Sequence, residues 1–262
     1  MSERPCRTRR RKSALLLAAI GCGLVLFCAA LPARALAEGK IKIAFVGDSS
    51  ADGLWGGFTR IASRDSCLKD NFEALRLGKN GTGLTRPDKF DWVAEIAKIA
   101  EKDKPALFVM SLGLNDRQSV VLGGNVTALE SPEYASRYGE RVSGMIKGAT
   151  ASDAGVLWVG LAPMREAPAN ADALAKNKLF LAAAEAAGPG VRYIDRRKFE
   201  LVGGETFNSY GPDKNGTMIQ LRAADGVHFT PAGEDIAAAE LLPQILSSLR
   251  ERKIPGASAC QK

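Results

Sequence analysis

The segment Lys40-Ile41-Lys42-Ile43-Ala44-Phe45-Val46 is followed directly by Gly47-Asp48-Ser49-Ser50. Its apolar and β-branched residues, in a run of strand length, predict a β-strand. The Gly-Asp-Ser sequence predicts a sharp exit from that strand, with Ser49 at its carboxyl end. Ligands of open α/β sheets bind at the carboxyl ends of the strands. Ser49 is therefore a candidate nucleophile, provided that a base can reach it.

The chain contains a single histidine, His228, in the segment Asp225-Gly226-Val227-His228. A serine hydroxyl becomes an effective nucleophile when a base takes its proton, and histidine does this near neutral pH. A carboxylate such as that of Asp225 fixes the tautomer of the ring and stabilises its charged form. The alternatives are an ordinary turn position for Ser49 and a surface loop position for His228. As the only histidine, His228 is the one ordinary base available to Ser49.

Strand patterns alternate with helix patterns along the rest of the chain, which predicts a three-layer α/β fold with a mainly parallel sheet. Residues 200–224 show no clear period and predict a long loop that leads to His228. The pattern contains no internal repeat and no linker between domains. Further strands are predicted over residues 73–77, 106–111, 156–161 and 191–194, and helices over residues 53–62, 90–101, 132–149 and 171–187.

The last helix is predicted to begin after Thr230, with Thr230 as its cap and Pro231 in its first turn. Pro243 is expected to kink or break this helix, because proline removes a backbone donor and its ring clashes with the preceding turn. The predicted apolar face consists of Ile236, Ala239, Leu242, Leu246 and Leu249.

Two loops supply candidate donors for an oxyanion, which needs hydrogen-bond donors already in place. One is the glycine-rich segment 78–85, where Gly83 is favoured as the donor and Gly81 is the alternative. This segment lacks the lysine-serine end of a phosphate-binding loop, so nucleotide binding is not predicted. The other is the loop with Asn115, whose amide either donates to the oxyanion or satisfies loop backbone groups. The backbone N–H of Ser49 is the third candidate.

Three charged residues near these loops have predicted supporting roles. Asp48 is expected to fix the turn around the serine, and Asp116 is expected to hold its loop rather than take part in the chemistry. Arg165 ends a predicted strand on the same sheet edge and is a candidate for contact with an anionic substrate.

The ordered set of motifs resembles the SGNH hydrolase superfamily, also called the GDSL-like lipases and esterases, over roughly residues 40–250. Gly47-Asp48-Ser49 is similar to its first block, although Ser50 stands where leucine is common. Gly83, Gly113-Leu114-Asn115-Asp116 and Asp225-Gly226-Val227-His228 are similar to three later blocks. The nearest resemblance is to a periplasmic bacterial branch with largely unassigned substrates. The resemblance implies a flavodoxin-like five-stranded sandwich, with Ser49 as nucleophile, His228 as base and Asp225 as its orienting partner.

The net charge of +7 is concentrated at the front of the chain, where residues 1–37 hold seven basic residues and one acidic residue. The remainder is close to neutral, which removes the main support for nucleic-acid binding. A basic cluster, an apolar stretch over residues 14–31 and Ala35-Leu36-Ala37 predict a cleaved signal peptide over residues 1–37. The alternative is an uncleaved membrane anchor. Residues 38–262 are predicted to form a single domain.

Cleavage would leave two cysteines, Cys67 and Cys260. They either pair in an oxidising compartment or remain two free thiols, and the sequence does not decide between these possibilities. The chain lacks clustered histidines and closely spaced cysteines, so no metal is expected, and the chemistry of a serine nucleophile needs no organic cofactor.

These observations predict an exported, periplasmic or secreted serine esterase that hydrolyses acyl or acetyl esters through an acyl-enzyme. Its expected partner is an ester substrate, either an acylated glycan or a small acyl ester, and membrane contact is expected only through an uncleaved N-terminal segment. One alternative is an O-acyltransferase that acts on a cell-envelope polysaccharide. An alternative of another class is a catalytically idle binding or assembly protein of the envelope.

Overall fold

The structure is a computed structural model that describes residues 39–260, so the predicted targeting segment over residues 1–37 lies outside the described residues. The strands are β1 (Ile41–Gly47), β2 (Phe72–Gly78), β3 (Leu107–Ser111), β4 (Val120–Leu122), β5 (Asn125–Thr127), β6 (Gly155–Val159), β7 (Val191–Ile194), β8 (Tyr210–Pro212) and β9 (Met218–Gln220). The helices are α1 (Ser49–Ala62), α2 (Ser66–Asn71), α3 (Trp92–Asp103), α4 (Tyr134–Thr150), α5 (Ala167–Ala187) and α6 (Pro231–Glu251), with a short 3-10 helix at Arg196–Lys198.

Five strands form one parallel sheet with the order β2-β1-β3-β6-β7. The first described strand, β1, thus lies near the middle of the sheet, β2 pairs on one side of it, and the later strands proceed outward on the other side. This is the flavodoxin-like order of doubly wound α/β folds. The predicted three-layer α/β fold with a five-stranded sheet is confirmed.

The central strands are continuous apolar runs, as expected for strands that are covered on both faces. Strands β3 and β6 are buried over their whole length, and β1 is buried from Ile43 onward. Helices α3, α4 and α5 cover one face through residues such as Trp92, Tyr138 and Phe180. Helices α1, α2 and α6 cover the other face.

Helix α6 agrees with its predicted start and differs in its interior. The Thr230 hydroxyl accepts a hydrogen bond from the Gly233 N–H, and Pro231 is the first helical residue. The helix continues through Pro243, so the prediction of a break is wrong. Ala239, predicted on the apolar face, is exposed. Its carbonyl is the one that a proline four residues later leaves without a donor, and exposure lets water satisfy that carbonyl.

The prediction of one long loop over residues 200–224 is wrong in part, because β8 and β9 form a short antiparallel hairpin there. A second hairpin, β4 with β5, and the helix α2 are also absent from the sequence prediction. Each of these hairpin strands is three residues long, which is too short to show an alternating pattern.

Cys67 and Cys260 form a disulfide, which resolves the alternative that the sequence left open. The bond joins α2, just before β2, to the carboxyl-terminal end of the described chain, and its cysteines are 193 positions apart in sequence. Within residues 39–260, no helix combines the length and the hydropathy that a membrane crossing requires.

Candidate active site

Ser49 is the first residue of α1, whereas the sequence predicted it in the turn before the helix. The change follows from Asp48, which caps the helix. Its Oδ1 accepts hydrogen bonds from the Ser50 N–H at 2.9 Å and from the Ser50 hydroxyl at 2.7 Å. A capping aspartate of this kind satisfies helix N–H groups that otherwise lack a partner. The serine therefore sits at a fixed helix start directly after β1.

The second carboxylate oxygen of Asp48 reaches the neighbouring loop. Its Oδ2 accepts from the Gly113 N–H at 2.9 Å and from the Leu114 N–H at 3.0 Å. The side chain is fully buried, and this burial raises the pKa of Asp48 to about 6 although the hydrogen bonds oppose the change. One carboxylate thus joins the segment that carries Ser49 to the loop after β3.

Gly47 allows the close approach on which this junction depends. A Cβ at this position would lie 1.9 Å from the carbonyl oxygen of Ser111, the last residue of β3. The same carbonyl accepts the Asp48 N–H at 3.2 Å. A side chain at position 47 would force the ends of β1 and β3 apart.

The structure brings Ser49, His228 and Asp225 into one hydrogen-bonded chain. The Ser49 Oγ lies 2.7 Å from the His228 Nε2, and the His228 Nδ1 lies 2.7 Å from the Asp225 Oδ2. An ionised carboxylate only accepts hydrogen bonds, so Nδ1 carries the ring proton and Nε2 accepts from the serine hydroxyl. The side chains of His228 and Asp225 are 43% and 48% exposed, so the site opens to solvent.

Asp225 is held in its charged form. Partial burial raises its pKa, but hydrogen bonds from the His228 ring and from the N–H groups of Val227 and His228 outweigh this effect and lower the pKa to about 2. The two backbone bonds, at 2.8 and 2.9 Å, also fix the direction of the carboxylate. The ring of His228 therefore faces a permanent negative charge at neutral pH.

The predicted oxyanion donors follow the carboxyl ends of three adjacent strands, Ser49 at the start of α1 and the other two in loops. Gly47, at the end of β1, pairs with Gly78 of β2 and with Ser111 of β3. Because Ser49 is the first helical residue, its N–H has no partner inside the helix. The Asn115 amide donates one hydrogen to the Thr82 carbonyl at 2.9 Å. Its second hydrogen remains for another acceptor.

Gly83 and Gly81 differ in what surrounds them. A Cβ at position 83 would lie 2.0 Å from the Asp116 Oδ1, whereas one at position 81 would meet nothing within 4 Å. Among residues 39–260 the Gly83 N–H has no hydrogen-bond partner. Gly81 has a φ of +75° and forms the turn, whereas Gly83 lies against the loop that carries Asn115. This placement favours Gly83 over Gly81 as a donor.

Asp116 holds the two loops together. Its carboxylate is fully buried and accepts from the N–H groups of Leu84 and Thr85, from the Thr85 hydroxyl and from the Tyr138 hydroxyl, at 2.8–3.1 Å. Burial and the nearby Asp116 charge raise the pKa of Tyr138 well above its ordinary value, so its hydroxyl remains a donor. The structural role expected for Asp116 agrees with these contacts.

Arg165 lies against the loop that carries the histidine. Its Nη1 donates to the Ala224 carbonyl at 2.7 Å, and its guanidinium stacks on the Phe207 ring at 4.9 Å. The expected contact with an anionic substrate remains a prediction. A second arginine at this loop, Arg222, was missed, because its role depends on tertiary contacts that leave no signal in an aperiodic segment.

Within the part of the chain that the structure describes, no group of three or more His, Cys, Asp and Glu side chains is arranged to hold a metal ion. The groups gathered at this sheet edge are a hydroxyl, an imidazole, a carboxylate and amide N–H donors. This combination can activate an oxygen nucleophile and stabilise a developing oxyanion.

A family model described as "Protein of unknown function (DUF459)" matches residues 42–244. A search of curated proteins finds no match. Several solved structures match this chain in fold, and three of them are an esterase, a lipase and an acetylxylan esterase.

A carbohydrate esterase family 3 structure from Talaromyces cellulolyticus aligns with a TM-score of 0.54 at 16% identity, covering 80% of this chain and 99% of the other. A GDSL-like lipase from Bacteroides thetaiotaomicron aligns at 0.52 and 20% identity, covering 80% and 89%. A catalytic mutant of Axe2, an acetylxylan esterase from Geobacillus stearothermophilus, aligns at 0.52 and 17% identity, covering 79% and 95%. These structures share the fold of this chain, which agrees with its resemblance to the SGNH hydrolase superfamily.

Proposed function

We propose that this chain, which belongs to the DUF459 family, is an exported serine hydrolase that cleaves acyl or acetyl esters. The observation that carries the proposal is the hydrogen-bonded chain from Ser49 through His228 to Asp225, with 2.7 Å at each step. The fold shared with esterases and lipases supports it.

In the first half of the proposed reaction, the Ser49 Oγ attacks the ester carbonyl carbon while its proton passes to the His228 Nε2. The Asp225 carboxylate stabilises the charged ring and keeps Nδ1 as the donor. The carbonyl oxygen becomes an oxyanion and accepts hydrogen bonds from the N–H groups of Ser49 and Gly83 and from the Asn115 amide. His228 then gives its proton to the leaving alcohol, and an acyl-serine remains.

In the second half, a water molecule enters the open site and attacks the acyl-serine. His228 takes a proton from the water and returns it to the Ser49 Oγ as the carboxylic acid leaves. Every proton taken up by the ring is released within the cycle. The site therefore returns to its starting state without a cofactor.

We propose an acetylated glycan as the substrate class. Structural neighbours include a carbohydrate esterase and an acetylxylan esterase, which supports a glycan ester. The half-exposed histidine and aspartate support a substrate that extends beyond the site, because a polymer needs an open approach.

Export is part of the proposal. The basic and apolar segment before Ala35-Leu36-Ala37 supports a signal peptide. The disulfide between Cys67 and Cys260 supports an oxidising compartment such as the periplasm or the exterior. Mass spectrometry of the protein from its host should give a mature chain that begins near Glu38. An intact mass that includes residues 1–37 would contradict cleavage.

Ser49→Ala tests the nucleophile, and Ser50→Ala is its matched control. Ser50 is the adjacent serine, but its hydroxyl is bound to Asp48 and to Ser111. Hydrolysis of nitrophenyl acetate and labelling by a fluorophosphonate should fall at least about 10³-fold in Ser49→Ala. Ser50→Ala should keep both. A Ser49→Ala protein that retains parent activity would contradict the assignment.

Acetate release separates hydrolysis from transfer. The purified protein should release free acetate from acetylated xylan at a rate that is unchanged by added unacetylated glycan. If acetate appears only as new glycan ester, the O-acyltransferase alternative is correct. A protein that neither releases nor transfers acyl groups, and whose Ser49 does not label, would be a binding protein.

A further inference from the structure

We infer that Arg222 is a positioning residue that holds the His228 loop in its reactive geometry. The catalytic meaning of this inference rests on the proposed function. The loop, defined here as residues 223–228, carries Asp225 and His228 and closes on itself where the Ala223 N–H donates to the His228 carbonyl at 2.8 Å. Its stability therefore decides where the imidazole lies relative to Ser49.

Two arginines donate hydrogen bonds to the carbonyls of this loop. Arg222 donates through Nη2 to the Val227 carbonyl at 2.8 Å. Arg165 donates through Nη1 to the Ala224 carbonyl and through its backbone N–H to the Gly226 carbonyl. The carbonyls on both sides of Asp225 are thus held in place.

Arg222 also anchors the loop to the sheet. Its Nη1 donates to the Pro163 carbonyl at 2.8 Å, in the segment that follows β6. The same guanidinium therefore bridges a segment next to the sheet and the residue immediately before His228. The planar fork of arginine suits two such bonds, which the ammonium of lysine does not reproduce.

Aromatic rings enclose the Arg222 guanidinium. It stacks on Phe207 at 4.7 Å and on Phe229 at 4.2 Å, and Phe207 also stacks on Arg165 while Phe229 stacks on Arg196. Three arginines and two phenylalanines thus alternate in one stack, in the order Arg165, Phe207, Arg222, Phe229 and Arg196. Cation–π contacts of this kind gain strength when they are shielded from water.

The position of Arg222 is costly for folding. It is 2% exposed, makes no ion pair among residues 39–260, and its Nε has no partner there. Burial lowers the pKa of Arg222 to about 10. Burying a charge is costly unless it is paired and hydrogen-bonded, and the charges of Glu234 and Asp225 offset only part of that cost at Arg222. Its bonds to Pro163 and Val227 supply a reason for its presence, namely control of the loop.

The single histidine of the chain makes the inference directly measurable. In protein with a histidine-free tag and labelled histidine, one imidazole N–H proton should be protected from solvent exchange by its bond to Asp225. In Arg222→Met that proton should exchange at least about tenfold faster. The kcat should fall about 100-fold with KM within threefold, because a small misplacement of a catalytic group has an effect of this size. Arg222→Lys should recover part of the protection of that proton and part of kcat.

Arg141→Met is the matched control, since Arg141 of α4 is also buried but pairs with Asp91, the residue that caps α3, and makes no bond to the loop. It should lose stability and keep both the protected proton and kcat. If Arg222→Met does not fold, the proton exchange rate and kcat of Arg222→Lys and Phe207→Leu test the inference instead. Parent-like exchange and kcat in the Arg222 variants, or equal losses in Arg141→Met, would overturn the inference. If the parent shows the protected proton but hydrolyses no ester, the proposed function fails and the exchange comparison still decides the positioning role.

Discussion

At the scale of single residues, Asp48 supports Ser49 through several hydrogen bonds made by one buried carboxylate. It caps α1 through Ser50 and binds the N–H groups of Gly113 and Leu114, all without contact with solvent. A buried carboxylate without a cationic partner is destabilised in its charged form. The hydrogen bonds offset only part of that cost, so the pKa of Asp48 rises to about 6.

This pKa predicts a pH dependence of stability. Between the unfolded value of 3.8 and about 6, the folded protein binds the Asp48 proton more tightly than the unfolded chain. The resulting stabilisation is present at low pH and is lost as the pH rises through about 6. Relative to Asp48→Asn, which does not titrate, the parent should lose about 2 kcal/mol of unfolding free energy between pH 4 and pH 7.

Urea unfolding at four pH values measures this difference, and Asp52→Asn is the control. The hydrogen bond from Arg76 lowers the pKa of Asp52, so its contribution has the opposite sign and is lost as the pH falls. Parallel stability curves for the parent and Asp48→Asn would contradict the prediction.

The sequence predicted the residues at the proposed centre and missed those that hold them. Ser49 follows a strong strand pattern and His228 has no competitor in the chain, so local pattern and composition were sufficient. Arg222 and Phe207 act through contacts with segments that are distant in sequence. No local periodicity reports such contacts, and a lone arginine in an aperiodic stretch is usually a solvated surface residue.

At the scale of elements, two loops at the ends of β2 and β3 are joined by one side chain. The carboxylate of Asp116, in the loop after β3, occupies the space beside Gly83 in the loop after β2. It also accepts hydrogen bonds from the N–H groups of Leu84 and Thr85, the two residues that follow Gly83. The loops therefore form a single unit, and the positions of Gly83 and Asn115 depend on each other.

Gly83→Ala tests this dependence. Its Cβ would lie 2.0 Å from the Asp116 Oδ1, so the carboxylate must move and its bonds to Leu84 and Thr85 must weaken. The kcat/KM for nitrophenyl acetate should fall about 100-fold because the donors shift. Gly81→Ala is the control, since its Cβ meets nothing within 4 Å. Its left-handed φ should cost about 1 kcal/mol of stability and leave the activity per folded molecule unchanged. Equal activity losses in Gly83→Ala and Gly81→Ala would contradict the proposed dependence of the donor positions on the contact between Gly83 and Asp116.

The element predictions failed at short strands and at helix faces. The strands of the hairpins β4–β5 and β8–β9 are too short to show a period, and their turn signals were overlooked, namely Gly123 and Gly124 in one and Gly216 in the other, all at positive φ. In α6, the predicted apolar face included Ala239, whereas the buried face runs through Ala238, Leu241 and Leu242. A window rich in alanine and leucine defines a helix better than it defines which side of that helix is buried.

At the scale of the whole molecule, the proposed chemistry lies at the carboxyl ends of the parallel strands and the disulfide lies near their amino ends. The site lies beyond the carboxyl ends of β1, β2 and β3, and the serine and histidine that meet there are 179 positions apart. Cys67 lies in α2, which leads into the amino end of β2. Changes at the disulfide should therefore affect stability and leave the geometry of the site intact.

The disulfide closes most of the described chain into a loop, because its cysteines are 193 positions apart. In the chain-entropy account a loop of this length restricts the unfolded state strongly, so removal of the bond should lower the unfolding free energy by about 3–5 kcal/mol. Cys67→Ala with Cys260→Ala should therefore unfold at lower urea concentration while its kcat at 25 °C stays within twofold of the parent. A reducing agent should shift the parent to the same midpoint and leave the double variant unchanged, which separates loss of the bond from loss of packing around the buried Cys260. A double variant with parent stability, or one that is folded but inactive, would contradict the prediction that the disulfide stabilises the fold without affecting the site.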